Sequence, residues 1–108
     1  ALPIFFLVIL YLSTDKPEIA THPHNIRTRE GQNVTLYCNA TGNPALTISW
    51  YKNEYPISND SSIILSPGHE QLTIRNVKRK DSGNYTCRAN NSVGTDTSNA
   101  STINVQCK

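Results

Sequence analysis

Two cysteines and one tryptophan constrain the fold of this chain more than any other residues do. Cys38 and Cys87 lie 49 positions apart, and Trp50, the single tryptophan, follows Cys38 by twelve. Each cysteine sits in a run in which apolar and polar residues alternate, the pattern of a strand with one buried face. The two sulfurs can therefore meet between two sheets. Such a bond removes about 4 kcal/mol of unfolded-chain entropy and persists only in an oxidising compartment.

Length and composition restrict the fold class and the partners. The chain has 108 residues, enough for one compact core and too few for two. Ten Lys and Arg against eight Asp and Glu leave a formal charge of +2, far below what a protein that holds a phosphate backbone carries, so we expect no nucleic acid partner. Abundant Thr, Ser and Asn without any Met favour short strands and polar turns, that is, an all-β class.

Short alternating runs recur from Lys16 onward, separated by Gly, Pro, Asn and Asp at the spacing of a β-sandwich. We predict eight strands, at residues 18–21, 25–28, 33–39, 47–52, 63–65, 71–76, 84–90 and 95–105. Parity along these strands predicts ten inward-facing residues: Val34, Leu36, Cys38, Ile48, Trp50, Leu72, Ile74, Tyr85, Cys87 and Ala89.

Residues 81–87 predict a corner that leads into the strand of Cys87. Tyr85 can turn its hydroxyl back to the backbone, Asp81 can bond its own turn, and Gly83 gives the backbone freedom. A large apolar side chain is also needed beside an inter-sheet disulfide, and Trp50 supplies it. The predicted structural core is therefore Trp50, Tyr85, Asp81, Gly83, Leu72 and Ile74.

The chain resembles the I-set of the immunoglobulin superfamily over about residues 17–106. That resemblance implies an immunoglobulin-like Greek-key β-sandwich, I-set or a close C2-type relative, with one inter-sheet disulfide between Cys38 and Cys87. The short segment between Trp50 and Leu72 leaves no room for the two extra edge strands of a variable-type domain. The resemblance depends on Cys38, Ala40, Gly42, Pro44, Ile48, Trp50, Lys52, Leu72, Ile74, Val77, Asp81, Gly83, Tyr85, Cys87, Ala89, Asn91 and Gly94.

Both ends of the chain carry features outside this pattern. Residues 1–12 are uninterruptedly apolar, too few to span a bilayer but as long as a signal-peptide core. We predict a partial signal peptide at 1–15, the domain at 16–106, and the start of a linker to a missing next domain at 107–108. The last strand of a preceding domain or the end of a membrane helix are the alternatives for the apolar run. Cys107 either pairs outside these residues or is a free thiol.

Six Asn-x-Ser/Thr sequons are candidate glycosylation sites, and we expect roughly half of them to be used. Asn39 and Asn84 point outward from different predicted strands, so glycans there would partly cover both flat faces. Partners would then meet the loops at the ends or the edges of the domain. The six are Asn33, Asn39, Asn59, Asn84, Asn90 and Asn99.

Four basic residues, Arg75, Lys78, Arg79 and Lys80, surround one predicted turn. Such a cluster could bind sulfated glycosaminoglycan or an acidic partner. A solvated turn explains the same residues without any ligand, and that interpretation is favoured.

Catalysis and metal binding find no support in the motifs. His22 and His24 flank Pro23, yet the remaining histidine, His69, lies in a distant predicted loop. Nucleophile elbows, phosphate loops and paired-carboxylate motifs are missing from the sequence. We expect no metal, no cofactor and no enzymatic activity.

These observations predict a non-enzymatic, protein-binding module of a cell-surface or secreted tandem-immunoglobulin protein, acting in cell adhesion or recognition. Its partner would be an extracellular protein, either a copy of itself or a different one. A membrane anchor would lie in missing sequence. Two alternatives stay open: a structural spacer in an extracellular array, and a ligand-binding domain of a receptor kinase or phosphatase.

Overall fold

The computed structural model describes residues 14–107, and all regular structure in that range is strand apart from two short 3-10 turns, at Pro67–His69 and Arg79–Asp81. Of the signal peptide predicted at residues 1–15, residues 1–13 lie outside the described range, and Asp15 begins the first strand. The eleven strands of residues 14–107 are β1 (Asp15–Thr21), β2 (Ile26–Arg29), β3 (Val34–Tyr37), β4 (Asn39–Asn43), β5 (Thr47–Lys52), β6 (Tyr55–Pro56), β7 (Ile63–Leu65), β8 (Gln71–Ile74), β9 (Gly83–Asn90), β10 (Thr95–Thr97) and β11 (Ser101–Gln106).

The strands form two facing layers. One layer contains the pair β1-β4 and the sheet β3-β8-β7, joined because β3 runs almost directly into β4. The other has the order β2-β11-β9-β5-β6, with β10 beside the distal half of β9. Every pairing is antiparallel except that of β2 with β11. The predicted all-β immunoglobulin-like sandwich is confirmed.

Two predicted strands are divided in the structure. The run 33–39 changes partner at Cys38, whose N–H bonds the carbonyl of Glu70, so β3 pairs with β8 whereas β4 pairs with β1. The run 95–105 breaks after Thr97, where the Ser98 N–H bonds the carbonyl of Cys87. Ser98 and Ser101 are both buried, although they are three positions apart. The inward-facing positions therefore change from even to odd numbers across this break. A single strand that alternated from 95 to 105 would not show this change.

The core lies between the two layers and contains all ten residues that parity predicted to face inward. The Cys38–Cys87 disulfide joins the layers with a Cα–Cα distance of 6.5 Å. Trp50 is 1% exposed, and its indole N–H donates to the carbonyl of His69 at 2.7 Å. Full burial of each large apolar side chain contributes roughly 1.5–3 kcal/mol. The buried set also includes Ile19, Val77, Ile103 and Val105.

Two residues predicted for the structural core are not part of its apolar interior. Asp81 and Gly83 are only partly buried, because the corner that they form lies at the end of the sandwich. Asp81 accepts the Lys78 N–H through its carboxylate at 2.8 Å, which closes the turn. Gly83 has a φ of 156°, which L side chains rarely adopt, as the predicted backbone freedom requires, and a Cβ there would also lie 3.0 Å from Nδ2 of Asn53.

The segment between Trp50 and Leu72 was predicted to be too short for the two extra edge strands of a variable-type domain. The structure has one short edge strand there, β6. It is two residues long and forms a hairpin with β5. Asn53 and Glu54 make the turn with positive φ angles of 49° and 74°, which is the type I′ geometry that matches strand twist.

Candidate interaction surfaces

One end of the sandwich is held together by Asn91. Its Nδ2 donates to the carbonyls of Asp15 at 3.0 Å and Pro44 at 3.2 Å. Its Oδ1 accepts the N–H groups of Val93 at 2.9 Å and Gly94 at 3.1 Å. All four hydrogen-bonding positions of the amide are therefore used. They fix the start of β1 and the turns after β4 and β9 as one rigid unit.

A patch of aromatic and charged residues lies on the outward face of β5, the β5–β6 turn and β9, and we call Tyr51, Glu54 and Arg88 the tyrosine–arginine patch. The Arg88 guanidinium lies 4.0 Å from the centroid of the Tyr51 ring, and Nη2 is 3.4 Å from Oε2 of Glu54. Nε of Arg88 is buried without a hydrogen-bond partner in residues 14–107. Tyr55, 76% exposed, pairs with Lys52 in the hairpin and therefore lies on the opposite face from Tyr51. The turn that carries this patch is itself fixed, because Asn53 bonds the backbone of Asn84 through both its N–H and its Oδ1.

The four basic residues lie near a groove of about 330 Å³, and three of them line it. Arg75, Lys78 and Lys80 line the groove, together with Ser61 and Ser62 among others. Arg79 instead lies 3.8 Å from Glu30 in an exposed ion pair, for which a free energy of about 0–1 kcal/mol is typical. The structure thus brings three of the four predicted residues together.

All six sequon asparagines are exposed. Asn39 on β4 and Asn84 on β9 lie on opposite layers. Asn33, Asn59, Asn84 and Asn90 each accept a hydrogen bond through Oδ1, which leaves Nδ2, the atom that a glycan modifies, without a hydrogen bond to residues 14–107. Which sequons carry glycans stays a prediction.

The histidines make separate structural contacts. His22 Nδ1 accepts the Asn99 N–H at 3.0 Å, and the carbonyl of His24 accepts the hydroxyl of Ser101. These bonds attach the β1–β2 connection to the break between β10 and β11. His69 lies 3.2 Å from the carbonyl of Ile48 through Nδ1. Across residues 14–107, His, Cys, Asp and Glu form no group placed to hold a metal ion.

The described part of the chain also has no helix long and apolar enough to cross a membrane. Cys107, at its end, is an exposed free thiol.

Comparison with known proteins places this architecture in a family. Vascular endothelial growth factor receptor 2 of Mus musculus is 37% identical over 86 residues, which are 80% of this chain and 6% of the receptor. Neural cell adhesion molecule 1 of Rattus norvegicus is 43% identical over 74 residues, 65% of this chain and 9% of the relative. This chain therefore spans only a small part of the relatives that it matches.

Solved structures agree with this assignment. The tandem Ig repeats of Dlar superimpose with a TM-score of 0.82 at 30% identity, covering 91% of this chain and 52% of that one. A complex of titin M10 with obscurin-like 1 gives a TM-score of 0.81 at 21% identity, covering 89% and 98%, and shows the shared fold alone. The family model for the immunoglobulin I-set domain matches residues 17–105, and the chain belongs to that family.

Proposed function

We propose that this domain is a non-enzymatic, extracellular protein-binding module that acts in adhesion or recognition. Its relatives include a growth factor receptor and a neural cell adhesion molecule, which supports a binding role outside the cell. The Cys38–Cys87 disulfide, which requires an oxidising compartment, and the six exposed sequons support the same location, on the cell surface or in secreted form.

The tyrosine–arginine patch is the observation that carries this proposal. Tyrosine and arginine dominate the binding energy of protein interfaces. The patch is also pre-organised, because Arg88 is held between the Tyr51 ring and Glu54 before any partner arrives. Binding then loses less side-chain entropy than it would with a free arginine.

Two sequons lie close to this patch. Asn84 and Asn90 share the outward parity of Arg88 on β9, so glycans at these positions would border the patch on the same face. Glycosylation is therefore expected to set how closely a partner can approach.

A bead-aggregation and surface-capture assay tests the proposal, using the secreted domain with its glycans and after enzymatic removal. We expect self-association or capture of a protein partner, weakened about tenfold or more by Tyr51→Ala, which removes the ring that Arg88 contacts. Tyr37→Ala is the matched control, since Tyr37 is 54% exposed on the opposite layer. A domain inert in both glycan states would contradict the proposal and would favour a structural spacer.

The spacer role has one specific observation in its favour, the end fixed by Asn91. A rigid end suits a domain that sets the distance between its neighbours. The similarity to growth factor receptors equally admits a ligand-binding domain of a receptor kinase or phosphatase.

Sulfated glycosaminoglycan is a second candidate ligand, at the groove lined by Arg75, Lys78 and Lys80. The Asp81 carboxylate also lines this groove, but the three cations outnumber it, and a net positive concave surface attracts an anionic polymer in a salt-dependent way. Retention on a heparin column should fall for Lys78→Ala/Lys80→Ala and stay unchanged for Lys16→Ala. Equal retention of both variants would exclude this groove.

A further inference from the structure

The outer edges of the two layers differ in how their backbone groups are used. An edge strand presents unpaired N–H and C=O groups that can pair with another chain, and proteins usually cover them. The edge strands of the described sandwich include β1, β2, β6 and β7.

Residues just before β7 close its edge. Asp60 Oδ1 accepts the Ile63 N–H at 2.8 Å, and the Asp60 N–H donates to the carbonyl of Ile63 at 3.1 Å. Asn59 Oδ1 accepts the Leu65 N–H at 2.8 Å. Backbone N–H groups of Ser62 and Ile63 lower the pKa of Asp60, so this carboxylate stays an ionised acceptor.

Prolines help to close two further edges. The Ile57 N–H bonds the carbonyl of Trp50, so the outward donor position of β6 falls on Pro56, which has no N–H. On β1 the outward N–H of Ile19 donates to Asp96 Oδ2 at 2.8 Å, and Pro17, of the same parity, again lacks a donor.

The β2 edge remains open at its N–H groups, although the carbonyl of Arg29 accepts the Gln32 N–H at 3.3 Å. β2 pairs with β11 in parallel, and the Glu30 N–H that follows it bonds the carbonyl of Gln106. In a parallel ladder, alternate residues direct their N–H groups to the same side of the strand. Because the N–H of Glu30 points toward β11, the N–H groups of Arg27 and Arg29, at the other parity, point away from the sheet. Beyond this edge, residues 14–107 supply no strand and no capping side chain.

The side chains of Arg27 and Arg29 are also unused. Both are exposed, and neither makes an ion pair or side-chain hydrogen bond within the described residues. Side chains two residues apart on a strand share one face, so the two charges stand in a row beside the open backbone groups. A groove of about 260 Å³ runs between Ile26–Arg27 and Thr102–Asn104 on this part of the sheet.

We propose that β2 binds an extended acidic segment of a partner protein, which adds to the sheet as a further strand. Carboxylates at alternate positions of that segment would lie opposite Arg27 and Arg29, while its backbone pairs with the free N–H groups. A second copy of β2 would oppose arginine to arginine, so the edge selects against self-pairing. This inference rests on the proposed protein-binding role but uses a different surface from the tyrosine–arginine patch.

The test uses a labelled peptide of alternating Glu and Val, with binding followed by fluorescence polarisation. A peptide of alternating Glu and Pro is the matched probe, because it has the same charge but its prolines hold it in polyproline II geometry and not in a pleated strand. We expect the Glu-Val peptide to bind and Arg27→Glu/Arg29→Glu to weaken it about tenfold or more. Lys78→Glu/Lys80→Glu makes the same change of charge at the groove and should leave the affinity within about twofold.

Amide hydrogen exchange on the unmodified domain separates strand addition from charge attraction. We expect the Arg27 and Arg29 amides to become protected when the Glu-Val peptide is bound. Unprotected amides, or equal affinity for the Glu-Pro peptide, would overturn the proposal. So would heparin binding that depends on Arg27 and Arg29 with no peptide binding. Tyr51→Ala, which alters the tyrosine–arginine patch, should leave the peptide affinity unchanged, so failure of the adhesion assay and failure of this assay are distinguishable.

Discussion

The hydroxyl of Tyr85 donates a hydrogen bond of 2.7 Å to the carbonyl of Asp81, four residues earlier in the chain. This bond closes the corner at the start of β9. Burial, with the Asp81 carboxylate as a second cause, raises the pKa of Tyr85 well above its usual range. The phenol is therefore protonated, and a hydrogen-bond donor, at neutral pH.

Removal of this hydroxyl should destabilise the domain. Tyr85→Phe keeps the buried ring and leaves the Asp81 carbonyl without its partner, so we expect the free energy of unfolding to fall by about 1 kcal/mol. Urea denaturation measures this. Tyr37→Phe is the control, since the hydroxyl of Tyr37 makes no hydrogen bond to residues 14–107. Equal midpoints for the two variants would show that the corner does not depend on the bond.

Asn91→Ala should loosen one whole end of the sandwich. It removes four hydrogen bonds, two of them to backbone carbonyls of distant segments, and we expect a loss of about 2 kcal/mol. The Asn90 sequon stays intact, because the substituted residue occupies its middle position. Asn104→Ala, on the exposed side of β11, should leave stability unchanged. Faster amide exchange at Val93 and Gly94 is expected in the Asn91 variant alone.

Asp60→Ala should reduce stability at neutral pH and not in acid. Because the folded-state pKa of Asp60 lies below its ordinary value of 3.8, its contribution is present above that pH and is lost as the pH falls through the folded value. Thermal unfolding from pH 7 to pH 2 should show the wild-type and variant midpoints converging below about pH 4. A constant difference across the range would contradict the role of the charge. Asp60→Asn, which keeps an Oδ1 acceptor, should lose less at pH 7.

Glu54→Gly should separate stability from binding. Glycine adopts the positive φ at position 54 without the cost of roughly 1 kcal/mol that an L side chain carries there, while the lost ion pair is exposed and worth less than about 1 kcal/mol. We expect unchanged or slightly higher stability together with weaker partner binding, because Arg88 loses its restraint. Glu54→Gln should weaken binding without any gain in stability. Binding unaffected by either change would remove Glu54 from the tyrosine–arginine patch.

The alternation of apolar and polar residues predicted the core because inward parity is a local property of each strand. Val34, Leu36 and Cys38 on one layer, and Tyr85 and Cys87 on the other, are buried as that alternation requires. The division at Cys38 and the break after Thr97 were missed, since each depends on a change of partner that is decided elsewhere in the sheet.

The interaction surfaces were less accessible to sequence reasoning. The basic cluster was visible as consecutive charges, but Arg79 turned out to face Glu30, a residue far from it in the sequence. The tyrosine–arginine patch joins residues from β5, the β5–β6 turn and β9, so no single window contains it. Arg27 and Arg29 carry an ordinary strand pattern, and their significance appears only once the edges of β1, β6 and β7 are seen to be closed.

Trp50 lies opposite Cys87 in the ladder between β5 and β9, which places the single indole beside the disulfide. Disulfides quench indole emission by accepting an electron from the excited ring. The native domain is therefore expected to be dim, and its emission to rise when unfolding separates ring from sulfur. The fluorescence of Trp50 is therefore expected to report, without any added label, whether the two layers are packed together.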